Sequence, residues 1–251
     1  MNKLKNKVAI VTGASKGIGA SIAKYFAAEG AKVVVNYASS KEDADKVVKA
    51  IAENGGTAIA VQGDVSKEPD VIRLFEETKN AFGALDILVN NAGIYQYAPI
   101  EDALAESFHK QFNTNVLGSL FAIQAALKSF DEKGGNIINI SSGASNTPLP
   151  TGAVYSATKA ALDAITISLS KEFSGRNIRI NSILPGVVET EGSHSAGFIG
   201  SDFEAKLVAT TPLGRTGQPE DIAKVAVFLA SDDAAWITGE KISVSGGIYG
   251  I

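Results

Sequence analysis

Val8-Ala9-Ile10-Val11-Thr12-Gly13-Ala14-Ser15-Lys16-Gly17-Ile18-Gly19 is the stretch that decides the fold. Its first four residues are wholly apolar, without the alternation of a half-exposed strand, so they read as a strand buried on both faces of a parallel sheet. Three glycines follow at once. A helical pattern then opens at Ile22, passes Phe26 and ends near Glu29, with Gly30 where a glycine terminates a helix. The next strand, Val33-Val34-Val35, is again wholly apolar.

The same alternation runs on along the chain. Lys41 to Asn54 reads as an amphipathic helix closed by Gly55-Gly56, Thr57 to Val61 as a strand, and Pro69 to Phe82 as a helix with proline in its first turn. Ile87-Leu88-Val89, Ile137 to Ile140, Arg179 to Leu184 and Ile242 to Val244 read as further strands, the third broken off by Pro185-Gly186. Between them Asn115 to about Phe130, Ala160 to Phe173 and Pro219 to Leu229 read as helices. Alternation without a linker or repeat predicts a doubly wound parallel α/β sheet with helices on both faces, one domain over residues 1–251.

Composition narrows the function. Of 251 residues, 20% are charged and 45% hydrophobic, an ordinary globular balance that sets disorder aside. The formal net charge is −4 and no basic cluster appears, against nucleic acid as the main partner. With no cysteine and only His109 and His194, neither disulfides, cysteine-ligated zinc nor a histidine-rich metal site is available. Thr12 and Gly13 break the first apolar run too early for a signal peptide, and no segment has the ~18 apolar residues of a membrane span. The expectation is a cytoplasmic protein with no membrane partner.

Two constellations carry chemistry. Gly13, Gly17 and Gly19 stand between the first strand and first helix, where glycines let the backbone approach a pyrophosphate that sits on the helix's positive end. The spacing is GxxxGxG rather than GxGxxG. The same residues also satisfy GxSxG, the nucleophile elbow of serine hydrolases, with Ser15 as nucleophile and His109 or His194 as base; on a first strand it lacks the preceding strand and loop that supply the oxyanion hole. The second constellation is Tyr155-Ser156-Ala157-Thr158-Lys159. On a helix, Tyr155 and Lys159 share one face a turn apart, and a cation held close to a phenol favours its ionised form. The pair reads as a tuned proton donor.

Taken in order, these motifs resemble the short-chain dehydrogenase/reductase family from Lys5 to Gly247. They are Thr12-Gly13-x-x-x-Gly17-Ile18-Gly19, Asp64-Val65, Asn90-Asn91-Ala92-Gly93, Asn115, Ser142, Tyr155-x-x-x-Lys159 and Pro185-Gly186. The resemblance implies an oxidoreductase that moves a hydride between a nicotinamide cofactor and a ketone or secondary alcohol. In that reading Ser142 binds the substrate carbonyl, Tyr155 gives the proton, and Lys159 holds the cofactor ribose and lowers the tyrosine pKa. Asn115, at a break in its helix, fixes a water that links Lys159 to solvent. Ser142 is chosen over Ser141 for its distance from Tyr155 and because Ser141 faces oppositely on a strand.

The cofactor residues implied are Gly13, Ser15, Lys16, Gly17, Ile18 and Gly19 in the loop, and Asp64 with Val65 at the adenine. Asn91, Ala92 and Gly93 make room beside the fourth strand while Asn90 braces the sheet edge. Ile183, Pro185, Gly186 and Val188 lie beside the nicotinamide, and Thr190 binds its carboxamide or a phosphate. Where an acidic residue at the end of strand two would select NAD, this chain has Asn36, followed by Tyr37-Ala38-Ser39-Ser40. Lys16 is free to pair with a 2′-phosphate and Ser39 or Ser40 to hydrogen-bond to it, so NADP(H) is expected, with NAD(H) tolerated.

Gly143 to Thr151 and the irregular, glycine-containing stretch 187–210 are expected to shape the substrate cavity, the latter as a lid with His194 as a wall residue. Similar family members include 3-oxoacyl-carrier-protein reductases, glucose 1-dehydrogenases and broad carbonyl reductases. A general carbonyl reductase is the preferred reading, without a metal and assembled as a homotetramer through the helices after Asn115 and Tyr155.

Overall fold

A computed structural model describes residues 2–248. The strands are β1 (Val8–Val11), β2 (Lys32–Tyr37), β3 (Thr57–Gln62), β4 (Ile87–Asn90), β5 (Gly135–Ile140), β6 (Ile178–Pro185) and β7 (Lys241–Val244). They form one sheet in the order β3-β2-β1-β4-β5-β6-β7, and every pairing is parallel. The order reverses between β1 and β4, and in such sheets ligands bind outside the carboxyl ends of the strands at that switch point.

The apolar strands are explained by what covers them. Ala9, Val11, Val33, Val35, Ile87 and Val89 face one core layer, closed by α1 (Gly17–Ala28), α2 (Lys41–Glu53) and α9 (Pro219–Ala230). Val8, Ile10, Val34, Leu88, Ile137 and Ile180 face the other. That layer is closed by α3 (Glu68–Phe82), α5 (Gly118–Ser129) and α6 (Ala153–Glu172). Successive side chains point to opposite faces, so a strand covered on both is apolar along most of its length and any polar residue on it needs a buried partner.

A chain of buried polar groups crosses the sheet towards α6. Asn90 Nδ2 donates to Asn139 Oδ1 at 2.9 Å, and Asn139 Nδ2 donates to Thr166 Oγ1 at 2.8 Å. The Thr166 hydroxyl lies 2.9 Å from that of Ser182. Each of these groups left without its partner would cost about 1–3 kcal/mol, so the chain fixes α6 in register on β4, β5 and β6.

Three element readings change. The helix expected from Asn115 starts ten residues earlier as α4 (Ala105–Phe112) and passes through a π-helical turn (Asn113–Leu117) into α5. In α4 only Gln111 is buried, so its apolar residues Phe108 and Phe112 do not anchor it in either core layer. Helix α6 starts at Ala153, not Ala160, because its first two turns carry polar groups directed at the site. The stretch 187–210 is not irregular throughout. It holds α7 (Glu191–Ser195), opened by a capping box between Thr190 and Ser193, and α8 (Asp202–Thr210), capped by Ser201.

Candidate active site

The glycine loop is strapped to the end of β4 across the switch point. The Thr12 hydroxyl accepts from the Asn91 and Ala92 amides, both at 3.0 Å. Asn91 Nδ2 returns hydrogen bonds to the carbonyls of Thr12 (2.9 Å) and Gly13 (3.0 Å). Gly13 has φ +60°, and a Cβ there would stand 2.8 Å from the Ala92 Cα. A Cβ at Gly19 would press on Asn91 Nδ2 and come within 2.7 Å of the Gly13 carbonyl oxygen. Only glycine fits either position. At the start of α1 the Gly17 amide donates to Glu191 Oε2 at 3.0 Å.

Tyr155 and Lys159 share one face of α6, with the Lys159 ammonium 5.8 Å from the centre of the Tyr155 ring. Lys159 is buried, and its Nζ donates to the Ile140 carbonyl at 2.8 Å, at the carboxyl end of β5. Burial pushes its pKa down from 10.5 to about 8, while the charge of Asp163, one turn further along α6, raises it. Asp163 is itself buried: its Oδ2 accepts from the Ser145 hydroxyl at 2.6 Å and its Oδ1 has no hydrogen-bond partner. Ser141 and Ser142 both line the cleft, but the Ser141 hydroxyl is turned inward to the Lys159 carbonyl at 3.3 Å, whereas Ser142 Oγ accepts from the Ala144 amide at 3.1 Å.

Asn115 sits in the π-helical turn, where the widened backbone turns it towards the strand β4 edge. Its Oδ1 accepts from the Ile94 amide and its Nδ2 donates to the Ile94 carbonyl, each at 2.8 Å. Nδ2 also reaches Thr158 Oγ1 at 3.0 Å. A Cβ built on Gly93 would lie 3.4 Å from Asn115 Oδ1 and 3.5 Å from Lys159 Nζ, so the three groups converge on one spot.

Ser142, Tyr155 and Lys159 all line one cleft of about 250 Å³ at the carboxyl edge of the sheet, with Ile18, Asn91, Gly93, Pro185, Gly186, Val188 and Thr190. Four aromatic residues that the motifs did not point to complete it: Tyr95, Tyr97, Phe198 and Phe203. The only signal for them in the sequence is position, two tyrosines just after Gly93 and two phenylalanines in the expected lid. Asp163 and Glu191 were equally unmarked, although each follows a motif residue closely.

Other expected residues lie elsewhere. Ser15 and Lys16 line a neighbouring pocket with Lys24, Asp43, Lys46 and Glu191. Ser39 is exposed beside the start of α2. Asn36 is buried, its Oδ1 accepts from the Gly13 amide at 3.2 Å, and its Nδ2 donates to the carbonyls of Val61 and Gly63. It braces the loop from below. The Asp64 carboxylate is likewise turned into its own turn, accepting from the Ser66 amide (3.0 Å) and hydroxyl (2.7 Å), and Val65 is buried against Gly118. His194 pairs with Glu189 at 3.0 Å and does not line the cleft. His109 is exposed on α4, and no hydrogen bond joins Ser15 to either histidine, so a hydrolytic triad is not assembled.

Sheet order, glycine-turned first crossover and a cleft at the switch point define a Rossmann-type α/β protein. Residues 13–249 match a family model described as enoyl-(acyl carrier protein) reductase. An uncharacterized oxidoreductase of Methylorubrum extorquens is 58% identical over 248 residues, covering 99% of this chain and 100% of the relative. Among solved structures, a short-chain dehydrogenase/reductase from Serratia marcescens superposes with a TM-score of 0.93 at 34% identity, covering 98% of this chain and 99% of that one. An angucycline C-6 ketoreductase with bound NADP gives a TM-score of 0.92 at 36% identity, with 98% and 97% covered. The chain belongs to the short-chain dehydrogenase/reductase family of oxidoreductases.

The depressed Lys159 pKa makes stability depend on pH. Between about 8, the folded value, and 10.5, the ordinary one, the unfolded chain holds a proton that the folded chain has released. Stability contributed by this group therefore rises with pH across that window, by about 3 kcal/mol, and is flat below it. Lys159→Met removes the term. Urea unfolding from pH 7 to pH 10.5 should give a wild-type curve that climbs relative to the variant's, and parallel curves would contradict the buried ammonium.

Proposed function

We propose that the chain is a nicotinamide-dependent ketoreductase that interconverts a ketone and a secondary alcohol, with NADP(H) preferred and NAD(H) tolerated. The observation that carries this reading is the convergence of Ser142, Tyr155 and Lys159 in one cleft beside the glycine loop. The loop suits a dinucleotide phosphate. Its Gly17 amide already holds an anion, the Glu191 carboxylate, and the first turn of α1 has no acidic residue of its own. Ile18, Gly93, Pro185, Gly186, Val188 and Thr190 would hold the nicotinamide half. When bound, the cofactor supplies a hydride to the carbonyl carbon.

The protein's residues do the rest. The Ser142 hydroxyl donates to the substrate's carbonyl oxygen and orients it. Tyr155 Oη delivers a proton to that oxygen as the carbon is reduced. The Lys159 ammonium stabilises the negative charge left on the phenol oxygen, strongly because it is buried, and Asn115 holds the turn through which the proton is replaced from solvent. An acyl-carrier substrate is disfavoured, because the sequence carries no basic cluster to dock an acidic carrier protein.

The preference for NADP(H) rests on Lys16, which with Lys24 and Lys46 lines the pocket beside the loop, and on the buried Asn36, which brings no carboxylate to repel a 2′-phosphate. A homotetramer is supported by the apolar side chains of Phe108, Leu117 and Ile167, which α4 to α6 leave exposed.

Tyr155→Phe should cut kcat on the order of 10²–10⁴-fold while NADPH binding is retained, as expected for loss of a general acid. Near-full activity would refute the mechanism. Lys16→Ala should lower the NADPH/NADH ratio of kcat/KM about tenfold, the scale of one charge-assisted contact; an unchanged ratio would remove Lys16 from cofactor selection. Light scattering on the purified chain should return four times its 26.0 kDa mass. A monomer would rule the assembly out.

A further inference from the structure

Above Tyr155 the cleft is walled by rings from three separate segments. Tyr95 and Tyr97 come from the loop after β4, Tyr155 from α6, and Phe198 and Phe203 from the 187–210 stretch, Phe203 standing on α8. Tyr155 has the Tyr97 ring 5.8 Å away and the Tyr95 ring 6.2 Å away, the latter nearly edge-on at 76°. Phe198 lies 5.6 Å from Tyr97 and 6.5 Å from Tyr95, and Phe203 lies 5.9 Å from Phe198. The contacts form one connected set with Tyr155 at its base.

Room for these rings is built into the backbone around them. A Cβ at Gly152 would come within 3.1 Å of Tyr97 Cε1, and one at Gly192 within 3.2 Å of the Tyr95 hydroxyl oxygen. The rings are not consumed by their mutual packing: Tyr95 remains 42% exposed and Phe203 39% exposed, unusual for aromatics in a walled cleft. Burial holds the Tyr95 phenol above its ordinary pKa, so it is a neutral ring with a hydroxyl at one end. Ile94, Leu149 and Val187 fill the remaining wall with aliphatic groups.

We propose that this aromatic box is the substrate subsite and that it selects ketones whose carbonyl is attached to, or fused with, an aromatic ring. The proposal rests on the reading of Tyr155 as the group that meets the carbonyl oxygen. With the oxygen there, a substituent on the carbonyl carbon has the faces and edges of Tyr95, Tyr97 and Phe198 on its sides. Rings arranged edge-on and tilted offer positive edges and negative faces, which a planar π-system satisfies and a puckered saturated ring does not. Charged thioesters find no cationic group in the cleft besides Lys159. Specificity thus resides in residues 95, 97, 198 and 203, apart from the residues that perform the reaction.

The test compares ketones matched in skeleton, acetophenone with cyclohexyl methyl ketone and 1-tetralone with 1-decalone, by NADPH oxidation in the wild type, Tyr97→Leu and Phe198→Leu. KM is the readout, because conjugation alters the intrinsic reactivity of the carbonyl and would distort kcat. A merely greasy pocket would bind the saturated ketones at least as well. We expect KM about tenfold lower for the aryl member of each pair, with that advantage falling at least about fivefold in either variant. Equal KM values within the pairs in the wild type, or an aryl advantage untouched by both variants, would overturn the proposal. Binding of 2-naphthol, followed by its own fluorescence, separates the box from the chemistry. Naphthol binding weakened in both variants, without turnover of any ketone, would uphold the box and sink the ketoreductase reading. Turnover without aryl preference would do the reverse, and neither binding nor turnover would sink both.

Discussion

The carboxyl edge of the sheet poses a problem that the rest of the structure is arranged to solve. Where β1 ends between β2 and β4 the chain turns away, and although the Thr12 and Ala14 amides still reach the Val89 and Asn36 carbonyls, the Gly13 amide and the Thr12 and Gly13 carbonyls look to side chains for partners. Buried and unpaired, each would cost about 1–3 kcal/mol. Three side chains answer this. Thr12 accepts two amides from the turn after β4, Asn91 donates back to the Thr12 and Gly13 carbonyls, and Asn36 reaches up from β2 to the Gly13 amide. The loop is thereby held rigid from three sides, and rigidity means little is lost if an anion binds there.

The same edge explains the position of Lys159. A buried ammonium is costly, and here it is offset by the Ile140 carbonyl at the end of β5 and by the charge of Asp163 one turn along α6. That carboxylate is in turn tied to Ser145, three residues beyond Ser142. Helix α6 is itself fixed to the sheet by the Asn90–Asn139–Thr166 chain. The distance between the Tyr155 phenol, the Ser142 hydroxyl and the sheet is thus set by buried polar bonds on both sides of the helix. Packing of apolar side chains alone would let α6 slide by a fraction of a turn without large loss; unpaired amides do not allow that.

Much of this was legible in the sequence, for a physical reason. Strands such as Val8–Val11 are apolar on both faces because both faces are covered, and nothing but a parallel sheet between helix layers produces that pattern. Glycines at 13 and 19 are legible because the close approach they permit admits no other residue. What stayed hidden has the opposite character. Helix α4 buries only Gln111, so it contributes nothing to the apolar core from which the other helices are read. Asn36 and Asp64 occupy positions next to the cofactor loop, but which way an amide or carboxylate turns depends on the neighbours that satisfy it, and both turn inward. Tyr95, Tyr97, Phe198 and Phe203 are far apart in the chain and meet only because the β4 loop and the segment after β6 end on the same edge.

The glycine loop and the aromatic wall are joined through one short helix. Thr190 and Ser193 fix the start of α7 by reciprocal bonds, and this aims Glu191 at the Gly17 amide. Three residues past the end of α7 the chain places Phe198 against Tyr97. An anion arriving at the α1 N-terminus competes with Glu191 for a single N–H, and the exposed Glu191 side chain can turn aside about its own bonds to yield it. The loop and the aromatic wall thus adjoin through a five-residue helix whose start is fixed by its own capping bonds and whose residues take no part in proton transfer.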